Sequence, residues 1–491
     1  RGQTLCFQPF QYNPGQKTLK VFTSISVELR SDGPGEINVL NNEIGQKAPN
    51  SFLRIYEDHF YNFGDFQYTP VSEEGNMLII TYDDFYDEMQ PFVEWKNQKG
   101  IPTEVVNVTD AGNTAANIKD YIETYYNTEG LTFVLLVGDI DQVPSLTSSG
   151  YASDPSYGYI SGSDSYPEVF IGRFSAQDTD QLDTMITRTL TYEKNPDTSA
   201  DWYHQGLGIA SNEGSGIGDD DEADWEHMRN IRTDLMGYTY TLVDELYDGS
   251  QGGEDDPGYP SENDVTLSVN DGRSIINYCG HGSPTGWSTT SFSNSDVNNL
   301  ANDNMLPYVI SVACNNGEFD TYSTCFCEAW LRATNDVTGE PTGAIVATGS
   351  SKSMSWAPPM DAQDEMNDLL TEQYPDHIMH TIGGIHANGC MHMNDEYGSS
   401  GDAETDTWHI FGDPSLVIRT DSPDDMIVDH PSSAVSGSTT FQLNVVNIEN
   451  ALCALSYNGV LLGYNYTDEN GVCIIELDDP LVNMDIVDLV V

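Results

Sequence analysis

Seven short, mostly apolar runs recur between residues 77 and 347 and alternate with stretches of helical spacing. They fall at 77–81, 133–137, 169–171, 207–210, 274–277, 308–312 and 344–347. Continuous β-rich runs of this kind read as strands covered on both faces, which is the pattern of a mostly parallel sheet flanked by helices. Helical spacing lies between them at 86–97, 114–126, 178–194, 222–235 and 363–373, and a Gly/Asp/Pro-rich loop occupies 248–264. The fold class that follows is α/β. With 491 residues, two or three domains are expected. The flanks differ. Residues 20–29 alternate like a half-exposed strand, and an aromatic-rich segment covers 52–66. After residue 419 helical spacing stops. Strand-like runs at 439–446 and 471–477, with a hairpin-type Asn470-Gly471 turn, predict a small β-sandwich.

Charge narrows the function. The chain carries 78 acidic and 18 basic residues, a formal net charge of −60. Phosphate would be repelled, so nucleic acid is excluded as a partner. Such acidity suits an exterior screened by salt or calcium and attracts cationic substrates, while most of the acids simply solvate the surface. No apolar run approaches the roughly 20 residues of a spanning helix. Arg1-Gly2-Gln3-Thr4 does not begin a basic-then-apolar leader, so any export signal is expected upstream. Eight cysteines are too few for a disulfide scaffold, and Cys325-Phe-Cys327 is too closely spaced for a zinc knuckle. Cys453 and Cys473 lie on two C-terminal strand-like runs and could pair across a sandwich.

In an open α/β sheet, reactive groups collect at the carboxyl ends of strands. Three such ends carry reactive types: Glu213 after 207–210, His281 after 274–277, and Cys314 after 308–312. If these strands are neighbours, one crevice holds a carboxylate, an imidazole and a thiol. Cys314 is then the nucleophile, His281 the group that protonates a leaving amine and activates water, and Glu213 the group that orients the ring. The N–H groups of Gly282 and Cys314 are the candidate oxyanion hole. The combination suggests a cysteine peptidase.

At these residues the sequence resembles the gingipain family of cysteine peptidases, which share a caspase-like fold. The resemblance covers most of residues 10–491. It includes Tyr68-Thr-Pro-Val71, Phe92-Val-Glu-Trp-Lys-Asn97, Val134-Leu-Leu-Val-Gly-Asp139, Glu168-Val-Phe-Ile-Gly-Arg-Phe174, Trp356-Ala-Pro-Pro-Met360, Gln363-Asp-Glu-Met-Asn367 and the segment 406–416. It implies the end of an inhibitory pro-domain at 1–67, catalytic subdomains at 68–200 and 201–421 with side-by-side, mostly parallel sheets, and an immunoglobulin-like domain at 422–491. It also implies the Cys314–His281 dyad with Glu213 in support.

The resemblance is strongest to the arginine-specific members. Asp224 matches the aspartate that pairs with a substrate arginine, and Trp356 and Met360 match pocket walls, with Val312 beside them. A carboxylate in an acidic helix start is also explained by the helix dipole alone. Structural calcium is implied at the side chains of Asp139, Asp164 and Glu168 with the backbone carbonyls of Ser161 and Tyr166, and at a second set of Glu222 and Glu328 with the His227 carbonyl. Two departures stand out: Cys279 replaces the threonine usual before Gly-His-Gly, and Pro284 replaces an acid found three positions after the histidine in arginine-specific members. Activation is expected by cleavage after Arg54 or near Gln67. The expected partners are polypeptide substrates and the chain's own pro-segment, for a monomer that is secreted or at the cell surface and has no transmembrane segment. The alternatives are lysine or other specificity, or a catalytically silent surface or adhesion protein on this scaffold. Gly214-Ser-Gly-Ile-Gly218 lacks the spacing of a dinucleotide loop.

Overall fold

The computed structural model describes residues 10–21, 75–162, 164–374, 378–477, 479–482 and 486–491. Arg54, Gln67 and most of the expected pro-segment lie outside them. Within that segment β1 (Phe10–Asn13) and β2 (Thr18–Val21) form an antiparallel hairpin.

Ten strands build the central sheet. They are β3 (Met77–Thr81), β4 (Thr103–Asn107), β5 (Phe133–Val137), β6 (Phe170–Phe174), β7 (Gln205–Ala210), β8 (Leu242–Tyr247), β9 (Ile275–Cys279), β10 (Tyr308–Val312), β11 (Val346–Ser350) and β12 (Trp408–Phe411). Their spatial order is β8-β7-β9-β10-β11-β12-β6-β5-β3-β4. The strands β7 to β11 run parallel to one another, as do β3 to β6 with β12. The two sets meet antiparallel at β11 and β12, so the side-by-side sheets fuse into one hydrogen-bonded surface. All seven apolar runs lie in or against these strands. Those at 77–81, 133–137 and 308–312 are buried throughout, as their lack of alternation requires.

Eight helices of seven or more residues matter here. They are α1 (Gln90–Gln98), α2 (Ala115–Glu129), α3 (Thr179–Lys194), α4 (Asp224–Gly237), α5 (Glu262–Asp271), α6 (Phe326–Arg332), α7 (Ala357–Leu370) and α8 (Ile382–Tyr397). Helix α7 starts earlier than the spacing predicts because Pro358 and Pro359 fall in its first turn, where no N–H is needed. Helix α8 has no sequence expectation at all. It is buried on almost every side, so it has no polar face to set a period. Its Gly389 lets α8 close on α7: a Cβ there would stand 2.6 Å from the Ala362 carbonyl oxygen.

A buried ion cluster joins the two halves. Lys96 of α1 is fully buried between Glu193 at the end of α3 (2.9 Å) and Asp413 just past β12 (2.5 Å). Lys99 also reaches Glu193, at 2.6 Å. Burial opposes charge on Glu193, but Lys96 and Lys99 outweigh it and hold the carboxyl at about 2.

The C-terminal segment is a sandwich of two three-stranded sheets, as expected. The strands are β13 (Val428–Asp429), β14 (Thr440–Val445), β15 (Leu452–Tyr457), β16 (Val460–Tyr466), β17 (Val472–Glu476) and β18 (Asp488–Val490), ordered β13-β14-β17 and β16-β15-β18. Gly471, at φ +77°, closes the expected turn by donating to the Asp468 carbonyl. The strands on either side enter opposite sheets, so the turn is a crossing and not a hairpin. Cys453 and Cys473 meet in the sandwich core as free thiols.

Candidate active site

Strand register brings the three reactive groups together. Cys279 of β9 lies level with Val312 of β10 on one side and with Ala210 of β7 on the other. Two residues beyond this line come His281 and Cys314, and three residues beyond it comes Glu213. Neighbouring strands are about 4.8 Å apart, so all three groups leave the sheet at one edge. Chain order supplies the crevice. From β7 the chain passes to β8 on one side and then to β9 on the other, and loops part at such a switch point.

His281 Nε2 donates to Glu213 Oε2 at 3.0 Å, and both side chains are just over half exposed. The bond leaves Nδ1 for proton traffic. The loop bearing His281 is fixed through its carbonyl, which accepts from the Tyr278 hydroxyl at 2.6 Å and from Ser288 N–H at 2.9 Å. The Trp356 ring stands edge-on to the imidazole, centroids 5.3 Å apart. Cys314 is half-buried, with Sγ 3.9 Å from the Met354 carbonyl oxygen. Gly282 permits the close approach of the two loops. A Cβ on it would lie 2.7 Å from Ala313 Cβ and 2.8 Å from the Cys314 carbonyl oxygen.

Asp224 is the first residue of α4 and is completely buried. Its Oδ2 accepts from the Ser211 hydroxyl at 2.5 Å and its Oδ1 from Trp356 Nε1 at 2.9 Å, with the Cys279 thiol close by. Burial pushes its carboxyl up, against those donors. The Cys279 thiol is also pushed well up, first by burial and then by Asp224. Val312 and Met360 are buried nearby, and Gly218 crosses closely over the Met360 methyl. Trp356 therefore closes over Asp224 in this structure and does not stand apart as an open wall. Glu404 anchors its loop by accepting from Ser355 N–H at 2.9 Å and from Lys352 at 3.3 Å. Ser211, Tyr278 and Glu404 have no place in the sequence reading. Only Ser211, two residues before Glu213, stands where a strand-end argument could have found it.

Asp139, Glu328 and Glu222 have protein partners. Asp139 is held by Gln177 (2.7 Å), Arg332 (3.2 Å) and the Ile140 N–H. Glu328 joins Asp139's group: it is buried, bonded to Ser175 and Arg332, and pushed up to about 7 by burial. The Arg332 guanidinium already supplies the positive charge there. Glu222 instead lies 3.8 Å from His227 Nδ1, with Asp364 at 3.4 Å. Burial disfavours charge on His227, but Asp364 and Glu222 raise it to about 9, so a protonated ring serves as the cation. Among the described residues, no three His, Cys, Asp or Glu side chains gather around a point a metal could occupy. One loop keeps cation chemistry. Glu168 is pushed up to about 7 by burial although it accepts from Ile160 and Ser161 N–H, and Asp164 lies close by. Asp164 accepts from the Tyr166 N–H as Glu168 does from Ser161 N–H, and a hard cation would neutralise this pair of carboxylates.

The model for peptidase family C25 matches residues 71–419. The chain belongs to this family, the gingipain cysteine peptidases. Gingipain R2 of Porphyromonas gingivalis is 39% identical over 492 residues, 98% of this chain and 64% of its own length. The chain thus spans less than two thirds of that relative. A crystal structure of the arginine-specific cysteine proteinase gingipain R superposes with a TM-score of 0.79 at 40% identity, covering 84% of this chain and 94% of the other. A complex of the pro- and mature domains of RgpB from P. gingivalis gives 0.78 at 39% identity, covering 83% and 94%. The caspase-like fold expected from the resemblance is therefore the observed one.

Proposed function

We propose that the chain is a secreted or cell-surface cysteine endopeptidase that cleaves after arginine. The observation that carries this reading is the register placing Cys314, His281 and Glu213 at one sheet edge, with the imidazole already bonded to its carboxylate. Cys314 sulfur attacks the scissile carbonyl carbon, and the developing oxyanion faces the Gly282 and Cys314 N–H groups. His281, which has taken the Cys314 thiol proton, passes it to the nitrogen, the C–N bond breaks and the amine leaves, with a thioester on Cys314. His281 then takes a proton from water, whose oxygen attacks the thioester and releases the acid and the thiol. Glu213 holds the ring and stabilises its cation throughout.

Arginine preference is supported by the identity to arginine-specific relatives and by the buried carboxylate of Asp224. A carboxylate has about four acceptor positions, and two are taken by Ser211 and Trp356. A substrate guanidinium takes a remaining one and binds with both nitrogens if Trp356 turns aside. Residues 1–67 are assigned to the pro-segment, by analogy with the RgpB complex, and 422–491 to the immunoglobulin-like domain. Calcium is assigned a structural role at Asp164 and Glu168, where it would neutralise a buried carboxylate. It has no part in the chemistry.

A panel of fluorogenic peptides differing only before the scissile bond, with and without a calcium chelator, tests the proposal against Cys314→Ala. Cleavage confined to arginine peptides, lost in Cys314→Ala and accompanied by a lower melting temperature in chelator, is expected. Selective cleavage after lysine, or no cleavage by the wild-type chain, would overturn it.

A further inference from the structure

Cys314 and His281 sit on different loops, and something must set the distance between them. We infer that Asn316 is the positioning residue that does so, by closing the turn under the thiol and clamping it to the hairpin that follows the histidine. This rests on the catalytic roles proposed above. The turn runs from Ser311, three residues before Cys314, to Asn316, two residues after it. Its base is closed by the Ser311 hydroxyl, which donates to Asn316 Oδ1 at 2.7 Å. Asn316 Nδ2 then donates to the Ser283 carbonyl at 2.7 Å and to the Gly286 carbonyl at 3.3 Å. Those carbonyls belong to the short antiparallel hairpin that pairs Gly282 with Trp287, immediately after His281.

The circuit closes on itself. Trp287 Nε1 donates to the Ser311 hydroxyl oxygen at 2.9 Å. The Trp287 ring is stacked on Tyr278, centroids 4.6 Å apart and 5° from parallel, and Tyr278 holds the His281 carbonyl. Trp287, Ser311 and Asn316 are each at most 2% exposed, so the bonds of Ser311 to Asn316 and Trp287 are made away from water. The amide is the one side chain of this size that accepts on one side and donates twice on the other. An aspartate would set a charge against two carbonyls, and an alanine would leave the buried Ser311 hydroxyl without its acceptor and cut both links to the hairpin. A displacement of about 1 Å at a reacting pair costs on the order of 100-fold in rate. Asn316 touches neither the Asp224 pocket nor the reacting atoms, so substrate binding is spared.

The test compares Asn316→Ala, Asn316→Asp and Ser311→Ala with wild type. It measures kcat and KM on an arginine peptide, the rate at which iodoacetamide alkylates Cys314, and the melting temperature. Asn316→Ala and Asn316→Asp are expected to lower kcat by about 100-fold and to slow alkylation, with KM within about threefold. Ser311→Ala, which keeps both clamp bonds to the hairpin, is expected to lose about tenfold or less. Alkylation needs no peptide substrate, so its response is read even if the arginine preference is wrong. Unchanged kcat and alkylation in Asn316→Ala would overturn the inference, as would a rise in KM with kcat intact. If Asn316→Ala does not fold, Asn316→Asp decides, and an unaffected kcat and alkylation rate there overturn the clamp.

Discussion

Replacing Asp224 with Asn removes one charge and little else. The side chain keeps its shape, and an amide oxygen can still accept from Ser211 or Trp356. What is lost is the charge that the fully buried carboxylate offers a guanidinium. Removing one partner of a buried, hydrogen-bonded charge pair costs about 2–5 kcal/mol. With each carboxylate oxygen already holding one donor, Ser211 on Oδ2 and Trp356 on Oδ1, substrate arginine meets a partly satisfied partner and the lower part of that range applies, about 2–3 kcal/mol. That converts to a fall in kcat/KM of roughly 30- to 150-fold. The assay uses two peptides that differ only in arginine or citrulline before the scissile bond. Citrulline matches arginine in shape and carries no charge, so its kcat/KM is expected to change less than threefold. The arginine-to-citrulline ratio should therefore collapse in the variant. A ratio within threefold of wild type would refute the assignment of Asp224. A loss beyond about 1,000-fold, more than 4 kcal/mol, would instead mean that Trp356 swings away and arginine binds with both nitrogens.

Gly282→Ala places a methyl group 2.7 Å from Ala313 Cβ and 2.8 Å from the Cys314 carbonyl oxygen, so the two catalytic loops must part. A kcat loss of about 100-fold with the melting temperature nearly unchanged is expected, and wild-type kcat would show that the loops do not need this approach. Glu193 gives an acid dependence. Its carboxyl is held at about 2 in the fold against 4.5 unfolded, so its contribution is present above pH 4.5 and is lost as pH falls through 2. Glu193→Gln is expected to cost on the order of 3 kcal/mol in denaturant unfolding at pH 7. The deficit should shrink steadily toward pH 2, and a deficit independent of pH would contradict the assignment.

The legible parts of this protein are those that sequence neighbours decide. A run such as 133–137 announces a two-sided strand, and a reactive residue just past it announces a site. Glu213, His281 and Cys314 were readable for that reason alone. What escaped depends on distant partners. Helix α8 gives no period because helices and sheet cover it nearly all round. The short strand β12 is four residues long and contains a histidine, with little to mark it as central. The acids Asp139, Glu222 and Glu328 carry no sign of which cation answers each. The fold pairs Asp139 and Glu328 with Arg332, and Glu222 with His227. The resemblance implies Trp356 as a pocket wall, but its hydrogen bond to Asp224 is a matter of side-chain rotation that no spacing encodes.

The position of β12 governs how this protein must be made. It is the last strand of the large sheet in chain order, yet it sits between β11 and β6. Until residue 411 has been synthesised, the two halves are separate sheets, each exposing an unpaired edge to every other copy in the cell. Completion of the large sheet thus waits for residue 411, and a chain cut short of it lacks the strand through which the two sets are joined.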